Sequence, residues 1–166
     1  MDRMHTVIDS PYGPLTLVAT EGTLSGLYMT GQRHRPPEES FGARAADDEE
    51  PFPEVVRQLA GYFAGELTSF DLALRMEGTE FQRSVWDQLK EIPYGETWSY
   101  GELAARLGKP NASRAVGLAN GKNPIGIIVP CHRVIGASGG MTGYGGGIDR
   151  KQRLLAFESG AEAALF

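Results

Sequence analysis

The only cysteine of the chain, Cys131, is followed directly by His132 in the sequence IIVPCHRVIG. A thiol and an imidazole are groups used in nucleophilic catalysis, because the imidazole can accept the thiol proton and leave the more reactive thiolate. Neighbouring side chains of a strand point to opposite faces, so the two groups can meet only if the backbone turns. Pro130 permits such a turn. A lone cysteine among apolar residues is more often an inert core residue, so both interpretations stay open.

A reactive thiolate also needs surroundings that stabilise its charge. Arg133 follows the pair, and Glu158 in the C-terminal sequence RLLAFESG is a candidate to orient the imidazole, although such a glutamate is usually solvated. The segment GASGGMTGYGGGID, residues 136–149, contains seven glycines, which allow a backbone to approach a ligand closely. Tyr144 within it is a possible stacking platform. In isolation the segment also fits a flexible surface loop.

Short helices are predicted before the cysteine. TEFQRSVWDQLKEIPYG predicts a helix with Trp86 in its apolar core stripe, and SYGELAARLG begins with Ser99 as N-cap and Glu102 three residues later, the spacing of a capping box. ASRAVGLANG predicts a helix of mostly small residues that ends near Gly121 and carries one charged side chain, Arg114. The last two helices fit a helix-turn-helix, whose second helix can enter a DNA groove, or a plain helical hairpin.

The first half of the chain predicts a small sheet and a helix. HTVIDSPYGPLTLVATEGTLSGLYM alternates apolar and polar residues between turns, which predicts a three-stranded antiparallel meander. Residues 31–52, which follow the meander, predict a mobile loop. PEVVRQLAGYFAGEL then predicts a helix with Tyr62 on its apolar side, and SFDLALRM predicts a short strand. The pattern becomes helical after residues 77–78. We therefore expect an α/β domain over residues 1–76 and a second domain over residues 77–166.

Charge is divided unevenly along the chain, although its formal net charge is −5. Residues 1–76 contain 6 Lys/Arg and 12 Asp/Glu, whereas residues 99–153 contain 8 Lys/Arg and 2 Asp/Glu. Because the local field decides what a surface attracts, the second half could bind an anionic polymer.

Other classes of protein are disfavoured by composition. No stretch is apolar enough to span a membrane and the N-terminus has no signal-peptide core, so we expect a cytoplasmic protein that does not bind membranes. One cysteine and three histidines make a tetrahedral structural metal site improbable, so we expect no metal.

Several motifs together resemble the O6-alkylguanine-DNA alkyltransferases, also called methylated-DNA–protein-cysteine methyltransferases. The resemblance is carried by NPIGIIVPCHRVIG, IPYGETWSYGELAARLG, ASRAVGLANGKNP and TGYGGG, and PCHRV is its most specific part. It covers most of residues 79–160, and the first half agrees mainly in SPYGPLTL and YFAGEL. The resemblance implies an α+β fold. A ribonuclease H-like N-terminal domain, with a small antiparallel sheet and a helix, precedes a mostly α winged-helix or helix-turn-helix domain.

The same resemblance implies direct DNA repair. An alkyl group on O6 of guanine, and also on O4 of thymine, passes irreversibly to Cys131 after the nucleotide is flipped out of the stack. The protein acts once and needs no cofactor. The implied partner is double-stranded DNA containing O6-alkylguanine, and we expect a monomer in solution that clusters on DNA.

The resemblance also implies a role for each matching residue. In the catalytic set, Cys131 is the nucleophile, His132 accepts its proton through a water, and Glu158 orients His132. Asn123 braces the turn between the recognition helix and the active-site segment. Tyr100 crowds the 3′ phosphate and contacts the flipped guanine, and Lys151 stabilises charge on the leaving guanine. The DNA-binding set comprises Arg114, which fills the gap in the stack, with Tyr100, Ser113, Ala115 and Gly117. The substrate pocket comprises Val134, Tyr144, Gly145 and Gly146, with backbone carbonyls of Cys131 and Val134 facing the base. The position of Gly145 is often serine in relatives.

Two other classes of protein use parts of the same pattern. A cysteine hydrolase would also use a Cys–His pair, but it would turn over repeatedly. A winged-helix transcription factor would use the helix-turn-helix but needs no reactive thiol. A helix of small residues with one arginine has few groups with which to read base edges, which disfavours a transcription factor.

Overall fold

The computed structural model describes residues 2–136 and 147–160. The strands in this part of the chain are β1 (Arg3–Ile8), β2 (Leu15–Thr20), β3 (Thr23–Met29), β4 (Ala43–Arg44), β5 (Trp98–Ser99) and β6 (Val134–Ile135). The α-helices are α1 (Phe52–Phe63), α2 (Glu80–Leu89), α3 (Tyr100–Arg106), α4 (Ser113–Gly121) and α5 (Ile148–Glu158), and 3-10 turns span Glu38–Phe41 and Cys131–Arg133. In the described ranges, the helices are too short or too polar to cross a bilayer.

The first sheet has the strand order β3-β2-β1-β4. Its three long strands form the antiparallel meander that the sequence predicts. β4 adds to β1 in parallel, and it lies with the first 3-10 turn inside the segment predicted as a loop, residues 31–52. Phe41 of that turn is buried and stacks on Tyr28 with ring centroids 5.4 Å apart. This segment therefore contains regular structure that its charged, proline-rich composition does not indicate.

The prediction of a strand over SFDLALRM is wrong. The segment makes one isolated parallel bridge, between Leu74 and Leu24, where the Arg75 N–H donates to the Leu24 carbonyl at 2.8 Å. Phe70 and Leu72 pack against the core as partly buried residues. The alternation of apolar residues therefore serves side-chain packing, while only one position meets a partner strand.

Local capping fixes where the helices of the second half begin. Thr79 caps α2 and Ser99 caps α3, and each forms a complete capping box with the residue three positions later, Gln82 and Glu102. The capping box predicted at Ser99 is confirmed. It matters for the site because α3 begins with Tyr100, directly after the cap.

Buried contacts hold α4 against the other helices. The indole of Trp86 on α2 is buried and donates to the Ala119 carbonyl on α4 at 2.8 Å, which confirms a core role for this tryptophan. Leu103 on α3 and Val116 on α4 are completely buried. The predicted pair of short helices is thus present as α3 and α4, with the outer face of α4 left exposed at Arg114.

Two backbone connections place the Cys131 turn. β5 pairs in parallel with β6, which directly follows the turn, so Trp98 and Ser99 lie opposite Val134 and Ile135. On the other side, the Leu27 N–H of β3 donates to the Pro124 carbonyl at 2.8 Å, seven residues before the cysteine. Buried residues from both halves form one continuous hydrophobic cluster. The turn is therefore fixed from both halves of the chain.

Replacing Ser99 with alanine tests the capping of α3. We expect Ser99→Ala to lower the free energy of unfolding by about 1 kcal/mol, because the Glu102 N–H loses its acceptor. Urea denaturation measures the change, and Ser99→Asp should restore most of it because aspartate is also a good cap. Ser84→Ala, on the exposed side of α2, is the control. Equal losses for Ser99→Ala and Ser84→Ala would contradict the capping role.

Candidate active site

Cys131 lies in a tight 3-10 turn and not in a strand. Pro130 opens the turn with φ of −82° and ψ of 63°, and the Arg133 N–H donates to the Pro130 carbonyl at 3.0 Å. Cys131 and His132 are both buried, with 5% and 0% of their surfaces exposed. The backbone therefore turns where the sequence permits it, and it turns in the protein interior.

The loop before the turn is braced by Asn123. Its amide nitrogen donates to the Val129 carbonyl at 2.8 Å, and its oxygen accepts from the Ile125 N–H at 3.0 Å. Between these contacts Ile127 has a φ of 68°, a left-handed conformation that is unfavourable for a β-branched residue. The Asn123 bridge spans this strained residue. The turn-bracing role predicted for Asn123 fits this geometry and stays a prediction.

Glu158 is the centre of a buried hydrogen-bond network. Its Oε2 lies 2.8 Å from His132 Nε2 and accepts from the Tyr62 hydroxyl at 2.6 Å. Arg133 binds both carboxylate oxygens, with Nε 2.8 Å from Oε1 and Nη2 3.0 Å from Oε2. A third nitrogen of Arg133 donates to the Ile92 carbonyl at 2.8 Å. The glutamate that sequence reasoning treats as usually solvated is only 5% exposed.

The network keeps Glu158 ionised and His132 neutral. Burial raises the pKa of Glu158, but His132 and Arg133 oppose it and hold the pKa at about 2. Burial lowers the pKa of His132 below its ordinary value, and Arg133 lowers it too, although Glu158 raises it. Because an ionised carboxylate only accepts hydrogen bonds, His132 Nε2 carries the ring hydrogen. The other ring nitrogen, Nδ1, is then the one that can accept a proton.

The thiol and the neighbouring lysine are also shifted toward their neutral forms. Burial raises the pKa of Cys131 to about 11, although a hydrogen bond with Asn123 and the charge of Lys151 lower it. Burial lowers the pKa of Lys151 to about 8, although Cys131 raises it. At neutral pH the thiol is therefore protonated. To react as a thiolate it would have to lose its proton, and His132, the next residue, has a ring nitrogen that can accept one.

Lys151 joins the Cys131 turn to Tyr100. It is completely buried, and its ammonium donates to the Val134 carbonyl. The same nitrogen lies 6.0 Å from the centroid of the Tyr100 ring. The structure therefore brings Tyr100, Val134 and Lys151 together beside Cys131. The Val134 carbonyl, which was expected to face the base, already accepts from Lys151.

Four of the predicted DNA-binding residues lie on α4, and the fifth, Tyr100, is the first residue of α3. Arg114 and Ala115 are exposed, and Ser113 and Gly117 are partly buried. A Cβ atom at Gly117 would lie 3.7 Å from the Tyr100 ring, so this glycine borders that side chain.

Three predicted pocket residues, Tyr144, Gly145 and Gly146, lie outside the described residues.

Sequence reasoning missed three residues at or near the site. Tyr62 was assigned to the apolar stripe of α1, and nothing local distinguishes it from a core tyrosine. Asn120 is buried on α4 and donates to the Cys131 carbonyl at 3.3 Å, and a polar residue on an otherwise apolar side was the available signal. Leu118 is 64% exposed, one helical turn after Arg114. Its size among small residues was the signal there.

No cluster of three or more His, Cys, Asp or Glu side chains that could hold a metal ion occurs in residues 2–136 and 147–160. The chemistry that the site offers comes from its own groups. They are a thiol, the neutral imidazole of the next residue, a carboxylate that binds the imidazole and a lysine ammonium.

Two family descriptions match most of the chain. Residues 4–76 match the ribonuclease-like domain of 6-O-methylguanine DNA methyltransferase, and residues 80–160 match its DNA binding domain. The methylated-DNA–protein-cysteine methyltransferase of Mycolicibacterium paratuberculosis is 56% identical over 156 residues, which cover 93% of this chain and 91% of the relative. The protein of the same name from Methanosarcina acetivorans is 54% identical over 155 residues, which cover 93% of this chain and 97% of the relative.

Solved structures show the same similarity. The crystal structure of the Mycobacterium tuberculosis protein OGT in complex with DNA superposes with a TM-score of 0.87 at 54% identity, covering 97% of this chain and 96% of that one. The O6-methylguanine-DNA methyltransferase of Pyrococcus kodakaraensis strain KOD1 has a TM-score of 0.65 at 26% identity, covering 94% and 98%. The α+β fold class that the sequence predicts is confirmed.

Removing the Glu158 carboxylate tests the buried network. We expect Glu158→Gln to lower the free energy of unfolding by about 3 to 5 kcal/mol at pH 7, because Arg133 is left buried without its partner. The folded-state pKa of Glu158 is depressed, so its contribution is complete above the ordinary value of 4.5 and is lost as pH falls from there toward 2. Urea denaturation between pH 7 and pH 3 should show the wild type approaching the variant.

Glu54→Gln is the matched control. The pKa of Glu54 is also held at about 2, first by its hydrogen bond with Arg57, but this pair is exposed to solvent. Its loss should change stability little. Similar losses for the two variants would contradict a special contribution from the buried carboxylate.

Proposed function

Because this chain belongs to the 6-O-methylguanine DNA methyltransferase family, we propose that it repairs DNA by transferring an alkyl group from O6 of guanine to Cys131. The activity is that of a methylated-DNA–protein-cysteine methyltransferase, and each molecule carries out the transfer once. The observation that carries the assignment of residues is the buried array of Cys131, His132 and Glu158 beside a helix with an exposed arginine.

The transfer is a single displacement at the alkyl carbon. The Cys131 sulfur forms a bond to that carbon as the bond from carbon to guanine O6 breaks, and the thiol proton passes through a water to His132. Glu158 stabilises the imidazolium that results, because it is already ionised. The guanine departs with negative charge, which the Lys151 ammonium stabilises, and it then regains a proton at N1 from solvent.

The target base must leave the stack before the sulfur can reach it. Arg114 projects from the exposed side of α4, and Tyr100 lies between this helix and the Cys131 turn. We assign Arg114 to the gap left by the flipped nucleotide and Tyr100 to its 3′ phosphate and base. Ser113, Ala115 and Gly117 keep this side of the helix thin, so that the backbone can approach the duplex.

The reaction consumes the protein. A thioether has no low-energy leaving group, and the chain has no second cysteine that could take over the alkyl group. A cysteine hydrolase would form a thioester that water cleaves and would turn over repeatedly. The family match favours the single transfer.

The finer parts of the proposal come from the resemblance of the motifs. The substrate is double-stranded DNA with O6-alkylguanine, and O4-alkylthymine is a second substrate. The protein acts in the cytoplasm as a monomer that clusters on DNA. Residues 1–76 support the reaction and residues 77–166 carry it out.

Replacing Cys131 with serine tests the nucleophile. After incubation with O6-methylguanine DNA, the wild-type chain should gain one methyl group, mapped to Cys131, because sulfur is the only acceptor. Cys131→Ser should gain none and should still bind duplex DNA. Intact mass spectrometry and a binding titration measure the two results. More than one methyl group removed per chain in excess substrate would contradict the single transfer and favour a turnover enzyme.

Replacing Arg114 with alanine tests the flipping step. We expect Arg114→Ala to slow single-turnover repair of saturating duplex by at least about tenfold, because flipping costs a few kcal/mol of unstacking. Free O6-benzylguanine has no stack to open, so its reaction should change much less.

Lys122→Ala, an exposed cation at the end of the same helix, is the control. It should weaken DNA binding in a salt-dependent way but leave the rate at saturation unchanged. Equal rates of wild type and Arg114→Ala on saturating duplex would remove Arg114 from the flipping step.

A further inference from the structure

Tyr62 connects the first half of the chain to the candidate active site. It lies on α1, 96 residues from Glu158, and its hydroxyl donates to Glu158 Oε2 at 2.6 Å. The same oxygen binds His132 Nε2. Tyr62 is completely buried. A buried hydroxyl needs some acceptor, and in this fold its acceptor is the carboxylate that also holds the imidazole.

Aromatic neighbours hold the Tyr62 ring in one orientation. Phe63, Phe70, Tyr94 and Phe157 surround it, with centroid distances of 5.4, 5.4, 6.3 and 5.6 Å. They come from α1, the segment after α1, the loop before β5 and α5. Because the ring is packed on several sides, the direction of its hydroxyl is fixed by the fold.

We propose that Tyr62 is a positioning residue for the alkyl transfer. Its hydroxyl fixes the Glu158 oxygen that orients His132, and it draws negative charge away from that oxygen. His132 thereby stays neutral and can accept the proton of Cys131. This inference rests on the proposed function, because it assigns Tyr62 a part in the same reaction.

The charge on Glu158 controls how strongly His132 holds a proton. A negative charge beside an imidazole stabilises the imidazolium, so a stronger effective charge on Glu158 would lower the fraction of His132 that is neutral and able to accept a proton. Each donor to the carboxylate reduces that effect. Burial and the adjacent Glu158 raise the pKa of Tyr62, so at neutral pH it is a neutral donor.

Other charged or titratable groups also face this pair. Those packed against His132 and Glu158 are Cys131 and Arg133 on the turn, Lys151 on α5, Tyr94 in the loop before β5 and Tyr62 on α1. Burial lowers the pKa of His132 first, and Arg133 and Lys151 lower it further. These groups all remain in a Tyr62 variant. A change in the titration of His132 would therefore report the lost hydroxyl.

Tyr62→Phe tests the proposal because it removes the hydroxyl and keeps the ring. We expect the pKa of His132 to rise by roughly half a unit to one unit, since the carboxylate gains effective charge. The acid limb of the single-turnover rate should move to higher pH by the same amount, so that transfer below the limb slows by up to about tenfold. NMR titration of the histidine rings measures the pKa, with the His132 signal assigned by its loss in His132→Asn.

Tyr28→Phe is the matched control, because Tyr28 is a buried tyrosine of the first sheet that stacks on Phe41. Both variants remove the hydroxyl of a tyrosine whose ring is buried, but only Tyr62→Phe should shift the titration of His132. An unchanged His132 pKa and pH profile in Tyr62→Phe would overturn the proposal, even if the variant is less stable. The proposed function fails separately, when the wild type gains no alkyl group, and the NMR titration still tests Tyr62 in that case.

A site-specific 3-fluorotyrosine at position 62 gives the opposite test. The fluorinated phenol is more acidic and a stronger donor, so the pKa of His132 should fall and the acid limb should move to lower pH. The substitution keeps the ring and its contacts, so it decides the question even if Tyr62→Phe does not fold. No shift, or a shift to higher pH, would overturn the proposal.

Discussion

The buried carboxylate of Glu158 is the interaction on which the rest of the site depends. Removing an ion from water costs several kcal/mol, so a buried carboxylate is stable only where hydrogen-bond donors replace its hydration. His132, Arg133 and Tyr62 are those donors, and they come from the Cys131 turn and from α1. Neither element alone satisfies the charge. The turn, α1 and α5 must therefore assemble together, and the nucleophile becomes fixed in the same step.

This requirement explains why the first half of the chain is more than an attached support. β3 makes backbone hydrogen bonds on both sides of Ile125, through the Pro124 carbonyl and the Gly126 N–H, and thereby holds the loop that leads to Cys131. α1, which also belongs to the first half, supplies the Tyr62 hydroxyl to Glu158. A single hydrophobic cluster runs through both regions. The candidate reacting groups belong to the second half, but contacts from the first half hold them in place, and the role proposed for Tyr62 extends this dependence to the protonation of His132.

The parts of this arrangement that the sequence predicts are those set by local chemistry. The meander, the capping box at Ser99 and the pair of short helices follow from turn residues, cap spacing and periodicity, which act over a few residues. The burial of Glu158 and the contact of Tyr62 follow from long-range packing, and a tyrosine on an apolar helix stripe looks the same whether or not its hydroxyl is used. The short strand predicted over SFDLALRM failed for a related reason, because alternation records burial and not the presence of a partner strand. The Cys131 turn lies between these cases, since Pro130 permits it and only tertiary contacts establish it.

The neutral resting state of the site suits a protein that reacts once. A permanent thiolate would react with oxidants and unrelated electrophiles, and the chain has no second cysteine to replace a spent one. Burial raises the pKa of Cys131 to about 11 and lowers that of His132, so neither group carries charge before substrate arrives. In the proposed transfer, charge develops only when the sulfur attacks and its proton moves to the imidazole. Glu158 is ionised throughout, but it stabilises the imidazolium more than the imidazole, so its charge acts mainly in the transition state. The same burial that suppresses unwanted reactions of the thiol therefore also removes the water that would weaken this stabilisation.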